Sequence, residues 1–272
     1  MSFPIRAATS EDDRLRACGL RYSVLVEEQK LPMKAVADHV LKIITYEGDD
    51  TARLLIAENE DGEIIGTVRT NFRSRGPVPD EPNYQPERFA PYYPDQLSFT
   101  GALVVRKDVR GSGVAFGMLE EVYKHGLAAG MRFDLVHCAP ALVRVYQQLG
   151  YRFYTSQNFH YDNFDFTVIP LTLLYGDTDY LARVDSPFLK YAEGREQDEE
   201  AARFFSRAFP RYAHVRPLQS MAPEDILEDL GKHITPEQRS NLEVFRNMQV
   251  SEMNHILKQI DRLNLREGDI VF

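Results

Sequence analysis

The sequence contains no tryptophan, only two cysteines and no apolar run of membrane-spanning length. Cys18 and Cys138 lie far apart and lack the spacing of metal ligands, which indicates a reducing compartment and no zinc site. The N-terminus lacks the apolar core of a signal peptide. These absences favour a cytoplasmic protein without a membrane span.

Positive charge is also scarce. The 272 residues include 32 Lys and Arg against 41 Asp and Glu, which gives a formal net charge of -9 at pH 7. Because binding to nucleic-acid phosphates requires a basic face, this balance argues against nucleic acid as a main partner. Hydrophobic residues make up 43% of the chain, enough for a packed core, and the length accommodates one large or two small domains.

A glycine turn is the most informative feature that is present. It follows a predicted strand over 97–105 and precedes an apolar-periodic segment over 116–127 that predicts a helix. Backbone N–H groups of such a turn, together with the positive end of the helix, suit a phosphate. The pattern Arg-x-x-Gly-x-Ala fits neither the nucleotide P-loop nor the dinucleotide fingerprint. The turn consists of Arg110, Gly111, Ser112, Gly113, Val114 and Ala115.

A second informative segment follows the predicted helix. Residues 133–138 predict a short buried strand, and residues 143–151 predict a helix that is ended by Gly150. The two segments together resemble the pyrophosphate loop, Arg/Gln-x-x-Gly-x-Gly/Ala, and the Leu-Tyr-x-x-Leu-Gly-Phe motif of the GNAT superfamily of acyl-CoA N-acyltransferases. Val145 and Tyr151 depart from the second pattern.

The resemblance spans residues 5–154, with a looser continuation to residue 189. It implies a mixed α/β fold, the GNAT fold, in which helices flank a central mixed sheet over residues 1–190. Two central strands of that fold splay apart, and the pantetheine arm of the acyl carrier lies between them. The implied donor is acetyl-CoA or a longer acyl-CoA, or an acyl carrier protein, and no metal is implied.

The same resemblance implies which residues bind the donor. Val104 and Val105 would offer backbone groups to the pantetheine, although both also suit an ordinary buried strand. The amides of residues 110–115 would hold the pyrophosphate. For Arg110 the alternative is a solvated surface arginine, but the adjacent glycines favour a place near the phosphates.

Tyr146 is the catalytic residue that the resemblance implies. Attack of an amine on a thioester releases a thiolate, and a phenol close to the sulfur can protonate it. The alternative is a core aromatic on an amphipathic helix. Cys138 lacks a matched acid or base in the sequence, so we expect a small buried thiol rather than a nucleophile.

The general base is not evident in the sequence. Many family members carry a glutamate on the strand before the glycine loop, and residues 97–102 contain no carboxylate. Glu28, Glu47 and Asp165 are candidates, and a chain of water molecules is the alternative.

Three candidate substrate contacts come from a narrower resemblance. Residues 20–29 resemble an Arg-x-x-Val-Phe-x-x-Glu helix of N-acyl amino acid synthases and acyl-homoserine-lactone synthases, and residues 49–55 and 66–69 continue the likeness. It implies that Arg21, Glu28 and Arg69 contact a small-molecule amine or amino acid. Surface salt bridges are the alternative for the two arginines. The Glu-x-x-Arg of the lactone synthases is replaced by Phe99 and Ala102, which argues against lactone synthesis.

Further elements follow from local patterns. We predict strands over 4–8, 53–58 and 64–70, and an aromatic-rich strand over 159–171. A helix capped by Thr9 or Ser10 is predicted to run toward Glu28. Residues 74–96 contain six prolines and predict a long loop, and short helical turns are predicted at 177–181 and 186–189. The aromatic residues of 84–99 and 151–166 suit either the wall of an acyl pocket or ordinary core.

Residues 196–272 have an acidic, helix-forming composition and predict a helical C-terminal extension. Helices are predicted over 198–208, 236–245 and 250–263. The last thirty residues resemble the start of a cyclic-nucleotide-binding domain, which indicates either a truncated sequence or an accidental likeness. An apolar face on the last helix predicts a homodimer, or packing of that helix on the transferase domain; its members are Met253, Ile256, Leu257 and Ile260.

The sequence therefore predicts an enzyme that moves an acyl group from acyl-CoA, or an acyl carrier protein, to an amine. The expected mechanism is direct attack on the thioester without a covalent enzyme intermediate. The alternative is a regulatory module that senses acyl-CoA without turnover and is coupled to the C-terminal region.

Overall fold

The computed structural model describes residues 3–192 and 194–213. Seven strands form one mixed sheet in the order β1-β4-β5-β6-β7-β9-β8, and β2 and β3 form a separate hairpin. Within the described residues the strands are β1 Ile5–Ala7, β2 Ala37–Asp38, β3 Ile43–Ile44, β4 Arg53–Glu58, β5 Ile64–Phe72, β6 Leu97–Val105, β7 Phe133–Cys138, β8 Phe159–Tyr161 and β9 Phe166–Leu174.

Helices cover both faces of this sheet. The described helices are α1 Glu11–Tyr22, α2 Val114–Ala128, α3 Val143–Leu149, α4 Thr178–Arg183, α5 Leu189–Ala192, α6 Glu199–Ala208 and α7 Pro210–Ala213. None of them is long and apolar enough to cross a membrane. The predicted mixed α/β fold, with a central mixed sheet between helices, is confirmed.

The first helix is fixed at its start by a capping box. The Ser10 hydroxyl accepts a hydrogen bond from the Asp13 N–H, and the Asp13 carboxylate accepts one from the Ser10 N–H. The predicted N-cap is therefore Ser10. The α-helical geometry ends earlier than predicted, because residues Ser23–Glu28 form a π-helical turn.

The strands predicted over 53–58, 64–70, 97–105 and 133–138 are confirmed. The aromatic-rich stretch differs from the prediction, since it divides into β8 and β9. A turn separates the two, in which the Phe164 and Asp165 N–H groups both donate to the Tyr161 carbonyl. Asp165 has a φ of 62°, so it lies in the left-handed region that a continuous strand excludes.

The centre of the sheet opens between β6 and β7. These parallel strands pair only where Leu97–Phe99 lie beside Phe133–Leu135. Beyond this point β6 continues to pair with β5, and β7 with β9. A bulge in β6 accompanies the separation, with the register shifting between Thr67 and Arg69 and with Ala102 at a φ of 50°. The predicted splay is therefore present.

Two apolar layers hold the helices against the sheet. On one face, Leu20 of α1 and Leu25 of the π-helical turn pack with β4 residues such as Leu54. On the other face, Met118 of α2 packs with residues such as Val68 of β5. Burial of each such side chain stabilises the fold by roughly 1.5–3 kcal/mol.

The described part of the C-terminal extension belongs to the same packed unit. Phe205 and Phe209 are 1% and 2% exposed and their rings contact each other, and the Phe209 ring also contacts the core residue Phe89. The sequence placed a boundary near residue 196, whereas helices α6 and α7 complete an aromatic cluster of the transferase segment. The helices predicted over 236–245 and 250–263, their apolar face and the cyclic-nucleotide-like segment lie outside the described residues.

Candidate active site

The glycine turn joins β6 to α2 as predicted. Gly111 and Gly113 have φ values of 79° and 92°, in the left-handed region where a glycine carries no steric penalty. A Cβ built at either position would meet nothing within 4 Å, so the space beside the turn is open. Residues 110–113 of the turn are exposed at the N-terminus of α2, a helix of 15 residues. Within the turn, the Arg110 and Ser112 N–H groups donate to the Lys107 and Val109 carbonyls, each at 3.3 Å. This arrangement suits an anion.

Arg110 and Glu28 form an ion pair at this turn. The sequence predicts Arg110 near the phosphates of the acyl donor and Glu28 in contact with the acceptor. The guanidinium donates to both carboxylate oxygens, with Nη1–Oε1 at 2.6 Å and Nη2–Oε2 at 3.0 Å. Arg110 Nε also donates to the Val105 carbonyl at 3.1 Å. Glu28 therefore lies beside the glycine turn and is absent from the lining of the cavity described next.

A cavity of about 230 Å³ occupies the gap between β6 and β7. Strand β6 contributes Gly101, Ala102, Leu103 and Val104, and β7 contributes His137 and Cys138. Val105 packs on the α2 side of the sheet instead. The rest of the wall comes from the segment after α1, from β5, from the region around α3 and from the β8–β9 hairpin. It comprises Leu25, Gln29, Leu31, Tyr46, Arg69, Ala139, Leu142, Tyr146, Tyr161, Phe164 and Phe166.

Tyr146 of α3 lies in the wall of this cavity and is 7% exposed. Its ring packs edge-on against Tyr151, with centroids 5.2 Å apart. Burial raises the pKa of the Tyr146 phenol, which keeps the hydroxyl protonated and suits a proton donor. Burial also raises the pKa of the Cys138 thiol, and this protonated group is a poor nucleophile, as predicted.

Arg69 reaches the cavity from β5 and is 6% exposed. Its guanidinium lies close to Gly101, where a Cβ would stand 3.3 Å from Nη2, and 4.5 Å from the centroid of the Tyr46 ring. Nη1 contacts Asp49 Oδ1 at 3.5 Å, while Nε is buried with no hydrogen-bond partner among the described residues. The cavity wall thus contains a buried cation whose hydrogen bonding is incomplete.

Arg21 reaches Asp49 instead of the cavity. The Arg21 side chain is fully buried, and its Nη1 donates to Asp49 Oδ2 at 2.6 Å. Burial alone would raise the pKa of the Asp49 carboxyl, but the charges of Arg21 and Arg69 outweigh it and hold that pKa below its ordinary value. Arg21 therefore holds in place the Asp49 carboxylate that contacts Arg69. Arg21 forms a salt bridge, the alternative to a substrate contact, but this salt bridge is buried and not on the surface.

The other candidate bases lie away from the cavity. Glu47 and Asp165 are exposed, and Asp165 contacts His160 at 3.5 Å. Within the described ranges, no Asp or Glu lines the cavity. None of the candidate bases from the sequence, Glu28, Glu47 and Asp165, therefore lines the cavity.

Two polar groups near the gap, the buried Asp134 and the partly buried His137, were missed in the sequence. His137 lines the cavity, and its Nδ1 lies 2.6 Å from the Tyr84 hydroxyl. Asp134 accepts hydrogen bonds from Ser98 at 2.6 Å and from Tyr151 at 2.6 Å. The only sequence signal was the presence of two polar residues, at positions 134 and 137, in an otherwise apolar strand, because their partners come from distant segments.

Burial perturbs both of these groups. It lowers the pKa of His137 to about 3, and the charge of Arg69 acts in the same direction. It raises the pKa of Asp134 to about 7, against the opposing effect of the hydroxyl donors. At neutral pH the His137 imidazole is therefore uncharged.

A sheet that opens between two parallel central strands, with a glycine turn leading into a helix beside the opening, is the arrangement that the sequence resemblance implied for an acyl-group transferase. In sequence comparison, residues 22–151 match the model of the Acetyltransferase (GNAT) family. This match supports acyl transfer in general, with a CoA-linked donor and a small-molecule acceptor. No group of His, Cys, Asp and Glu in the described residues could hold a metal ion.

Solved structures show the same fold at low sequence identity. FeeM, an N-acyl amino acid synthase from uncultured soil microbes, is 16% identical with a TM-score of 0.53, over 70% of this chain and 98% of FeeM. TofI, in a ternary complex with an inhibitor and MTA, is 15% identical with a TM-score of 0.50, over 70% of this chain and 100% of TofI. No curated protein sequence matches the chain significantly.

Proposed function

We propose that this protein transfers an acyl group from acyl-CoA, or from an acyl carrier protein, to the amine of a small acceptor. The observation that carries the proposal is the cavity in the opening between β6 and β7, with Tyr146 in its wall. The exposed glycine turn between β6 and the N-terminus of α2 suits the donor's phosphates.

The proposed reaction is a direct attack on the thioester. The amine lone pair forms the C–N bond, the C–S bond breaks, and the thiolate takes the proton of the Tyr146 phenol. Water in the cavity removes the proton that the amine loses. In this arrangement the pantetheine follows the backbone of Val104 and Val105, and the pyrophosphate binds the amides of residues 110–115.

The position of Arg69 favours an acceptor that carries a carboxylate. A nearly buried guanidinium in a cavity wall, whose Nη1 has only a 3.5 Å contact with Asp49, is stabilised by an anion that accepts hydrogen bonds from its Nη groups. A carboxylate matches the planar geometry of that group. An amino acid is therefore the acceptor that we favour, in agreement with the activity named for the structurally similar FeeM.

The test is turnover of acyl-CoA by the full chain, followed by release of the free thiol. Each amino acid in the acceptor panel is paired with the amine that lacks its carboxylate. We expect thiol release with the amino acids and at least a tenfold lower kcat/KM with the decarboxylated amines, since a charged hydrogen bond contributes about 1.5–3 kcal/mol.

An Arg69→Met variant separates the acceptor assignment from the transfer reaction. It should lose the preference for the carboxylate while it retains acyl-CoA binding. A protein that binds acyl-CoA but releases no thiol with any amine would instead be a sensor, and transfer would be excluded.

A further inference from the structure

His137 presents part of its ring to the cavity and is fixed on its other side. The Tyr84 hydroxyl lies 2.6 Å from Nδ1, and Tyr84 itself is 3% exposed and does not line the cavity. The rings of Phe159 and Tyr161 flank the imidazole, with centroids 5.4 and 4.9 Å away. Because Nδ1 faces Tyr84, the ring edge that carries Nε2 is the one available to a bound molecule.

The hydrogen bond defines which nitrogen carries the proton. In the described part of the chain, the contact with Nδ1 is the one hydrogen bond of the Tyr84 hydroxyl. A buried hydroxyl with a single partner uses its proton only by donating it. Nδ1 is therefore the acceptor, and in the neutral ring Nε2 carries the hydrogen.

The surroundings hold this tautomer in place. Tyr84 packs edge-on against Phe99, with centroids 5.4 Å apart, and its carbonyl accepts a hydrogen bond from the Tyr154 hydroxyl at 2.8 Å. Tyr154 in turn contacts Phe209 of the C-terminal extension. The donor at Nε2 is thus oriented before any substrate binds.

We propose that His137 is a further catalytic residue of the acyl transfer, which donates its Nε2–H to the thioester carbonyl oxygen as that oxygen gains negative charge. Tyr84 is a positioning residue that fixes the tautomer. The proposal rests on the transfer reaction proposed above. When the amine attacks, the carbonyl electron pair moves to oxygen, where the hydrogen bond stabilises it, and the pair returns as the C–S bond breaks.

The chemistry of the ring favours a donor over a base. A general base is most effective when its pKa is close to the working pH, and burial together with Arg69 lowers the pKa of His137 to about 3. A neutral donor that is already oriented in the cavity wall is well suited to a developing oxyanion, because its orientation costs nothing during the reaction.

The tautomer can be measured without any turnover. In protein labelled with ¹⁵N-histidine, we expect His137 to show the neutral Nε2–H form from pH 5 to 8, and Tyr84→Phe to mix the two tautomers. Exposed His160, in the same spectra, provides the comparison. A His137 signal that titrates near pH 6–7, or one with the proton on Nδ1, would overturn the proposal.

Kinetics test the role in catalysis. His137→Leu should lower kcat about 100-fold, the effect of removing one oxyanion donor, with the KM of donor and acceptor changed less than threefold. His137→Gln retains an N–H donor and should recover about tenfold of this loss. His125→Gln, in helix α2 and outside the cavity, is the matched control and should behave like wild type.

Two other kinetic results contradict this role. An equal loss of kcat in the Gln and Leu variants, with acyl-CoA binding intact, would show that the N–H group at position 137 does not contribute to catalysis. A rise in KM for the acceptor alone would make His137 an acceptor-binding residue. If wild type transfers no acyl group, the proposed function fails together with this role, and the NMR result still shows whether the tautomer is as derived.

Discussion

Tyr146 has the environment of a proton donor, since it is buried at the cavity wall and its pKa is raised by that burial. Loss of the hydroxyl should affect the step in which the thiolate forms more than it affects donor binding. We expect Tyr146→Phe to lower turnover by about one to three orders of magnitude, measured in single-turnover experiments.

The control for this variant is Tyr92→Phe, which removes a phenol from the aromatic cluster and leaves the cavity unchanged. Unchanged single-turnover rates in Tyr146→Phe would assign the proton donor to another residue.

Asp134 should make stability depend on pH. Its pKa of about 7 lies above the value of about 3.9 for an unfolded Asp, so the native state binds the proton more tightly. The resulting stabilisation is complete below pH 4 and is lost as the pH rises through 7. Between pH 5 and 8 the loss is about 2–3 kcal/mol.

Asp134→Asn cannot titrate, so it should lack this part of the pH dependence. Urea unfolding of both proteins at pH 5 and pH 8 measures the difference. Parallel changes in the two proteins would mean that Asp134 has an ordinary pKa.

The sequence distinguishes some residues of the site and not others. Tyr146 and the glycine turn belong to local motifs, so their neighbours along the chain identify them. Arg21 and Arg69 are equivalent candidates in the sequence, and only the direction of each side chain separates them. Tyr84 and His137 are 53 positions apart, and their hydrogen bond depends on the path of the loop over 74–96.

At the scale of elements, the β6–α2 turn is testable with a matched pair of glycines. Gly113 and Gly130 have φ values of 92° and 74°, and a Cβ at either would meet nothing within 4 Å. Valine at either position therefore brings a similar backbone strain of about 1–2 kcal/mol. Only Gly113 lies where the donor's phosphates are proposed to bind.

We expect acyl-CoA to raise the thermal stability of wild type and of Gly130→Val, but not of Gly113→Val. Thermal unfolding with and without acyl-CoA provides the measurement. Equal ligand-induced shifts in the two variants would contradict the assignment of the turn to the phosphates.

Prediction of the elements succeeded where one apolar pattern continued without interruption. Strands β4 and β7 were predicted from largely apolar runs, and α6 from helical periodicity after its cap at Asp198. Prediction was less accurate where a local backbone feature interrupts the pattern. The π-helical turn after α1 and the turn between β8 and β9 arise from hydrogen bonds that residue types alone do not specify.

At the scale of the whole molecule, the boundary between transferase domain and extension is open to test. Because α6 and α7 complete the aromatic cluster, we place this boundary beyond Ala213 rather than near residue 196. A chain ending at 195 loses Phe205 and Phe209, and each lost buried phenyl ring costs about 3–5 kcal/mol. We expect that chain to unfold or aggregate, and a chain ending at 213 to remain folded.

Thermal unfolding and light scattering on these two chains and on the full chain measure both properties. A stable monomer ending at 195 would restore the boundary predicted from the sequence. The homodimer stays a prediction, and it requires the full chain to scatter as a dimer and the chain ending at 213 as a monomer.

The opening of the sheet has a mechanical consequence. Strands β6 and β7 are joined by three residue pairs at one end and are separate at the other end. The pantetheine arm carries amide groups of its own. A donor between β6 and β7 would therefore form hydrogen bonds with the strands where they no longer pair with each other. The donor would then complete the sheet for as long as it is bound. The protein would be more rigid with the donor bound and more flexible after the product leaves.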